Sequence, residues 1–203
     1  MSLRKACAVL LVALAAAGCD RVGVGDAPAT TQRTSRSAPV TTPDTAVDTV
    51  ATAEPGLSRN RWATNSDLSK TVTGNLTTSL ESGRGGPLVM AFANGLTLRL
   101  ERIAEHVGAD RTGSGGATFA ATLGADPNAG IYVYRVADER IYATASQGGV
   151  CQRAPAKYVA LSEFVNRNGD WTFAFAAYRG DVAPGPQAER DPQLCGAYGY
   201  AVN

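Results

Sequence analysis

Few residues in this chain are of a type that does chemistry, and their spacing narrows them further. His106 is the only imidazole among 203 residues. It lies in Ile103-Ala104-Glu105-His106-Val107-Gly108. A histidine base needs an orienting carboxylate and a nucleophile within hydrogen-bond reach. Glu105 is its neighbour in sequence, but successive side chains of a strand point to opposite faces. His106 therefore reads as a loop or surface histidine. Ser114 is preceded two positions earlier by Thr112, not by the glycine of a nucleophile elbow. Neither a His-Glu-x-x-His pair, nor a calcium loop, nor a phosphate loop is present. Val22-Gly23-Val24-Gly25 lacks both the preceding strand and the third glycine of a dinucleotide fingerprint. Carboxylate pairs of the glycosidase kind are set by geometry and not by spacing. Their candidates are Glu101, Glu105, Asp138, Glu139 and Glu163, which read more simply as solvated strand-face or turn charges. One histidine and four cysteines exclude most multi-ligand zinc sites. The expectation is a protein that is not an enzyme and carries no metal or cofactor.

Binding chemistry is better represented. Tyr132, Tyr134, Arg135, Arg140, Tyr142 and Arg153 form a Tyr/Arg-rich stretch, with Lys157 and Tyr158 beyond it. Tyr and Arg are enriched at protein–protein hot spots, so these six residues are the candidate binding surface. The competing reading is that the tyrosines cap a small β core with their hydroxyls in water. Nineteen Lys and Arg against eighteen Asp and Glu leave a formal net charge of +1. That balance offers no electrostatic footprint for nucleic acid.

The cysteines suggest where these residues work. Arg4 and Lys5 precede an apolar run, Ala6 to Ala17, that ends in Ala15-Ala16-Ala17-Gly18-Cys19. The run has signal-peptide length and is short for a membrane span. The order of charge, apolar run, small residues and Cys resembles the signal and lipobox of bacterial lipoproteins, although Ala16 stands where such boxes most often carry Leu. The resemblance implies a signal peptide over residues 1–18, with diacylglyceryl transfer to the Cys19 sulfur. Cleavage before Cys19 and acylation of the new amino terminus follow. Two or more acyl chains give stable anchoring, at about 0.8 kcal/mol per buried CH₂. Asp20 resembles an inner-membrane retention signal of enteric lipoproteins; the choice between inner and outer membrane stays open. Cys7 leaves with the signal, so Cys151 and Cys195 remain, and in an exported domain such a pair is expected to form a disulfide.

The elements that must position these side chains all come late in the chain. Every one of the fourteen aromatic residues lies at or after Trp62. Residues 19–57 are rich in Thr, Ala and Pro and lack apolar periodicity, so they read as a disordered tether. Residues 58–203 are left to fold as one mainly β domain, an antiparallel barrel or sandwich. Leu88–Phe92 and Leu96–Ile103 flank Asn94-Gly95, a strong hairpin signal. Thr118–Leu123, Ile131–Val136, Arg140–Thr144, Lys157–Val165, Asp170–Tyr178 and Leu194–Val202 read as further strands. Asp138-Glu139 reads as a turn between two of them, and Asn166–Gly169 as a second hairpin turn. Trp171, Phe173, Phe175 and Ala177 share one face of their run and are expected to form the largest block of core. Residues 58–85 are ambiguous: Leu68, Val72, Leu76 and Leu80 recur every four residues, as on a helix, but Gly74 and the Thr cluster weaken a helix, and Thr71-Val72-Thr73 suits the start of a strand.

A lipid anchor, a tether and a small disulfide-tied β domain together are similar in plan to small envelope lipoproteins, including membrane-bound lysozyme inhibitors. The likeness is one of plan and brings no functional residues with it. The expected function is that of a lipid-anchored, periplasm-facing lipoprotein of the cell envelope. Its domain would bind or support an extracytoplasmic partner, an envelope protein or a peptidoglycan-associated one. An inhibitor of a cell-wall lytic enzyme is the alternative, acting through loop 181–192 or loop 108–116. An envelope glycan or lipid hydrolase is the third.

Overall fold

The structure, a computed structural model, describes residues 58–83 and 85–202. The signal peptide, Cys19 and the tether lie outside the described residues. Eight antiparallel strands follow one another in order around a closed barrel. They are β1 (Arg61–Thr64), β2 (Leu76–Leu80), β3 (Leu88–Phe92) and β4 (Leu96–Val107). Then come β5 (Gly130–Ile141), β6 (Tyr158–Val165), β7 (Trp171–Tyr178) and β8 (Leu194–Ala201). Closure is made by β1 on β8, through Ala63 opposite Ala201 and Thr64 opposite Tyr200. Of the two architectures expected, the chain adopts the barrel, and the reason is visible in its strand edges. A sandwich leaves open edges, whereas closure lets β1 and β8 satisfy each other.

Alternation along the strands fills the interior. Leu96, Leu98 and Leu100 of β4 point inward and are fully buried. On β7, Phe173, Phe175 and Ala177 do the same and meet Tyr198, Tyr200 and Phe92. Phe175 stacks on Tyr198 with ring centroids 4.7 Å apart. An eight-stranded barrel is just wide enough for side chains to fill it, as they do here. Trp171 departs from expectation. It keeps the inward phase but sits at the rim, 37% exposed, and donates its indole N–H to Glu163 Oε1 at 2.6 Å. The core block is therefore Phe173, Phe175 and Ala177.

The other face of β7 builds a second, outer core. Ala174 and Ala176, with Ala160 on β6, present small side chains outward, and Phe119 and Leu123 pack there beside Ile131, Val133 and Tyr178. Phe119 and Leu123 belong to α1 (Phe119–Leu123), where a strand was expected. The capping residues decide it: Thr118 Oγ1 accepts the Ala121 N–H at 3.1 Å, and Gly124 closes the turn in the left-handed conformation.

One further expectation is corrected and one ambiguity resolved. Asp138-Glu139 is no turn, since β5 runs through it to Ile141 with a bulge at Ala137, and the strand expected over Arg140–Thr144 is the end of β5. The Glu139 carboxylate accepts the N–H groups of Val150 at 3.1 Å and Ala156 at 2.9 Å, which is how an inward-facing acid is tolerated in a strand. The four-residue repeat of residues 68–80 is split by Gly74. Ser69–Thr73 forms one π-helical turn that buries Val72, and Leu76–Leu80 forms β2. Leu68 then lies over Gly196, where a Cβ would stand 2.8 Å from its Cδ2.

Both hairpin signals hold, with one change of detail. In the first hairpin Gly95 takes positive φ, at 93°, and Asn94 does not. Asn94 instead uses its side chain, accepting the Leu96 N–H and donating to the Val72 carbonyl. The connection is thus a three-residue loop closed by a left-handed glycine rather than a two-residue primed turn.

Candidate functional site

β5 carries four of the six candidate residues, and alternation on either side of its bulge separates them. Tyr132 and Tyr134 face inward, on the side of Leu161 and Val159. Tyr134 is 5% exposed, and the Arg102 guanidinium lies over the Tyr132 ring at 5.9 Å. These two tyrosines are core residues more than a surface. Beside them, Leu80, Pro87, Arg102 and Tyr134 line a shallow pocket of about 300 Å³ at one end of the barrel.

Arg135 faces outward. Its Nη2 donates to Glu101 Oε2 at 2.7 Å, and Arg99 reaches the same carboxylate at 3.3 Å while donating to Glu81 at 2.7 Å. The hydrogen bond from Arg135 holds the Glu101 carboxyl below its ordinary range, with its charge and then Arg99 adding to the effect. The group is exposed, so this is a solvated ladder of charges across β4 and β5.

The remaining three stay at the surface. Arg140 donates to Asp138 Oδ2 at 2.6 Å, Tyr142 follows at 56% exposure, and Arg153 lies on the loop between β5 and β6. A cleft of about 430 Å³ opens between β5 residues 136–141 and loop residues 152–156, with Arg153, Asp138 and Glu139 in its lining. Burial raises the Glu139 carboxyl above its ordinary value, opposed by the two backbone N–H groups it accepts. The sequence reading named Glu139 among the candidate carboxylates but missed its inward place, because it assigned the acid to a turn. The missed signal is the change of phase after Val136, which only a bulge reconciles with the apolar alternation before it.

The disulfide joins this region to β8. Cys151 and Cys195 are bonded, with Cα atoms 5.1 Å apart. Cys151 lies in the loop between β5 and β6, and in that loop Val150 accepts the Tyr198 hydroxyl at 2.6 Å. Burial, with the Glu139 charge adding, pushes the Tyr198 hydroxyl up to about 12. The loop is thus plugged into one end of the barrel by a covalent bond, a carboxylate and a phenol.

His106 is a strand residue on β4 and not a loop residue. Its ring stacks on Phe119 at 5.6 Å and 16°, and Nδ1 lies 3.5 Å from Asp110 Oδ2. A bulge between Arg102 and Ala104 turns it to the outer face, whereas Glu105 points the other way, beside Arg102. A Cβ at Gly185 would stand 3.0 Å from its Nε2, so the imidazole is wedged beneath the loop between β7 and β8. That loop is itself held down: Gly185 N–H donates to Thr112 O, and Ser114 N–H to Ala188 O, both at 3.0 Å. The two loops considered for insertion into an enzyme cleft bind each other.

Each candidate carboxylate has its own partner: Glu101 with Arg135, Glu105 with Arg102, Asp138 with Arg140, Glu163 with Trp171, and Glu139 with two backbone N–H groups. Among the described residues no three His, Cys, Asp or Glu side chains group to hold a metal ion. No described helix is long and apolar enough to cross a membrane. Fold and site together define an eight-stranded up-and-down antiparallel barrel, internally packed, with one end closed by a disulfide-tied loop. No family model, curated protein or solved structure matches this chain.

Proposed function

We propose that this chain is a lipid-anchored lipoprotein of the cell envelope, acylated on Cys19. Its barrel faces the periplasm and serves as a non-enzymatic module that binds or supports an extracytoplasmic partner. The observation that carries the reading is the Cys151–Cys195 disulfide, because such bonds persist in oxidising compartments. The apolar run ending at Cys19 supports export independently. Arg140, Tyr142 and Arg153, the exposed remainder of the Tyr/Arg stretch, have the composition of a protein-binding surface.

Metabolic palmitate labelling tests the anchor: wild-type chain takes up label, Cys19→Ala does not and leaves the membrane fraction. Unlabelled wild type that sediments with membranes as well as Cys19→Ala would overturn it. The inhibitor reading loses ground from the mutual bonding of loops 108–116 and 181–192, which leaves neither free to enter a cleft as it stands. A turbidity assay with purified lysozymes and micromolar protein decides between the two, and inhibition would reverse the preference.

A further inference from the structure

β5 is longer than the strand that covers it. β4 pairs with it along its whole length to Ile141. β6 pairs with it only over Tyr132–Arg135, with one more bond from Val136 N–H to Lys157 O. Beyond that bond the loop swings away to plug the barrel end, and the 430 Å³ cleft separates it from the strand. Among the described residues, then, no strand covers this side of residues 137–141.

The backbone phase shows what the edge offers. Tyr142 N–H bonds Gly95 O, so alternation directs the backbone groups of Arg140 and Asp138 toward β4. Those of Glu139 and Ile141 face the cleft. A two-stranded edge of this kind is a template for another strand. The side chains specify which one. Asp138 and Arg140 lie on the outer face either side of Glu139, with opposite charge. If a second edge runs antiparallel with a two-fold axis at Glu139, Asp138 of each copy stands opposite Arg140 of the other. These fall at non-hydrogen-bonded positions, where facing side chains approach most closely. Ile141, 52% exposed, faces Ala137 of the second copy. The Glu139 side chains do not meet there, because each is turned inward onto its own Val150 and Ala156 N–H groups. The edge is complementary to itself.

We propose that this edge is the interface of a homodimer, in which two copies of the chain join β5 to β5 around a two-fold axis. Such isologous contacts close on themselves and do not propagate into filaments. The interface is small, so the dimer is reversible and concentration-dependent. It does not depend on the lipid anchor, and palmitate labelling neither supports nor removes it.

Sedimentation equilibrium of the full chain in mild detergent, from about 1 to 100 µM, is the test. The expected result is a monomer–dimer equilibrium. Arg140→Glu places like charges opposite each other twice and weakens dimerisation by about tenfold or more. The double exchange Asp138→Arg with Arg140→Asp keeps both the intrachain pair and the self-complementarity, and restores dimerisation to within about threefold. Circular dichroism on both variants separates loss of dimer from loss of fold. A chain monomeric across the range overturns the proposal. So does a dimer indifferent to Arg140→Glu, which places the contact elsewhere. A monomer in which the Glu139 and Ile141 amides are protected from exchange also overturns it, by assigning the edge to a segment other than a second copy.

Discussion

Three buried tyrosines with one chemistry have three different fates. The Tyr200 hydroxyl meets Thr73 Oγ1 at 2.6 Å and Tyr198 meets the Val150 carbonyl, whereas Tyr178 OH has no hydrogen-bond partner. A buried unpaired hydroxyl costs about 1–3 kcal/mol. Tyr178→Phe is therefore expected to be neutral or to stabilise by about 1 kcal/mol, while Tyr200→Phe destabilises by a similar amount by removing the buried bond to Thr73 Oγ1, which keeps only its bond to the Ser69 carbonyl. Urea midpoints of the two variants check the opposed signs. Glu139 makes the second prediction at this scale. Its folded pKa lies above the ordinary 4.5 because burial disfavours the charge, so the folded state holds a proton the unfolded state has released. Stability contributed by this group is complete below about pH 4.5 and declines as pH rises through the folded value. Glu139→Gln is expected to flatten that decline in a pH series of thermal midpoints. It also weakens the loop, because an amide replaces one of two acceptor oxygens.

At the scale of elements, the outer core depends on the contrast between small and large. Ala174 and Ala176 leave room for Phe119, whose ring also stacks on His106. Phe119→Ala is expected to cost about 3–5 kcal/mol and to free both loops that converge on it, read as faster amide exchange over 108–124 and 180–188. The disulfide closes a separation of 44 residues, and removing it by paired Ser substitution is expected to cost about 4 kcal/mol in the chain-entropy model. Reduction followed by thermal unfolding measures this directly. Strand elements were legible in the sequence: β3 with β4, and β6 with β7, flank the two Asn-Gly signals, and the runs Ile131–Val136 and Leu194–Val202 fall on β5 and β8. α1 was not, because in Thr118–Gly124 the apolar content suited a strand and only the caps marked a helix.

For the whole molecule, closure is the weakest step. β1 is four residues long and touches each neighbour through two register pairs. Those pairs join Ala63 to Ala201, a separation that puts closure late in folding, since long-range pairing requires loop entropy to be offset first. Native-state hydrogen exchange is expected to show β1 and the end of β8 opening at lower free energy than β6 and β7. Equal protection throughout would contradict this. Trp62 of β1 is fully buried against Phe173 of β7, at 5.2 Å. Trp62→Ala is expected to cost about 3–5 kcal/mol.

Residue types and their period determined by themselves the β class, the position of the core in the aromatic-bearing part of the chain, both hairpins and the cysteine pair. These are local or compositional properties, and an alternating strand carries its two faces wherever it is placed. Tertiary structure decided what local pattern leaves open. A bulge at Ala137 turned Glu139 inward, and another between Arg102 and Ala104 turned His106 outward. The same bulges and strand lengths dispersed the Tyr/Arg stretch, sending two tyrosines into the core and leaving Arg140, Tyr142 and Arg153 exposed. One extra residue in a strand reverses the phase of everything after it, and where that residue falls is settled only when the strands close around their shared interior.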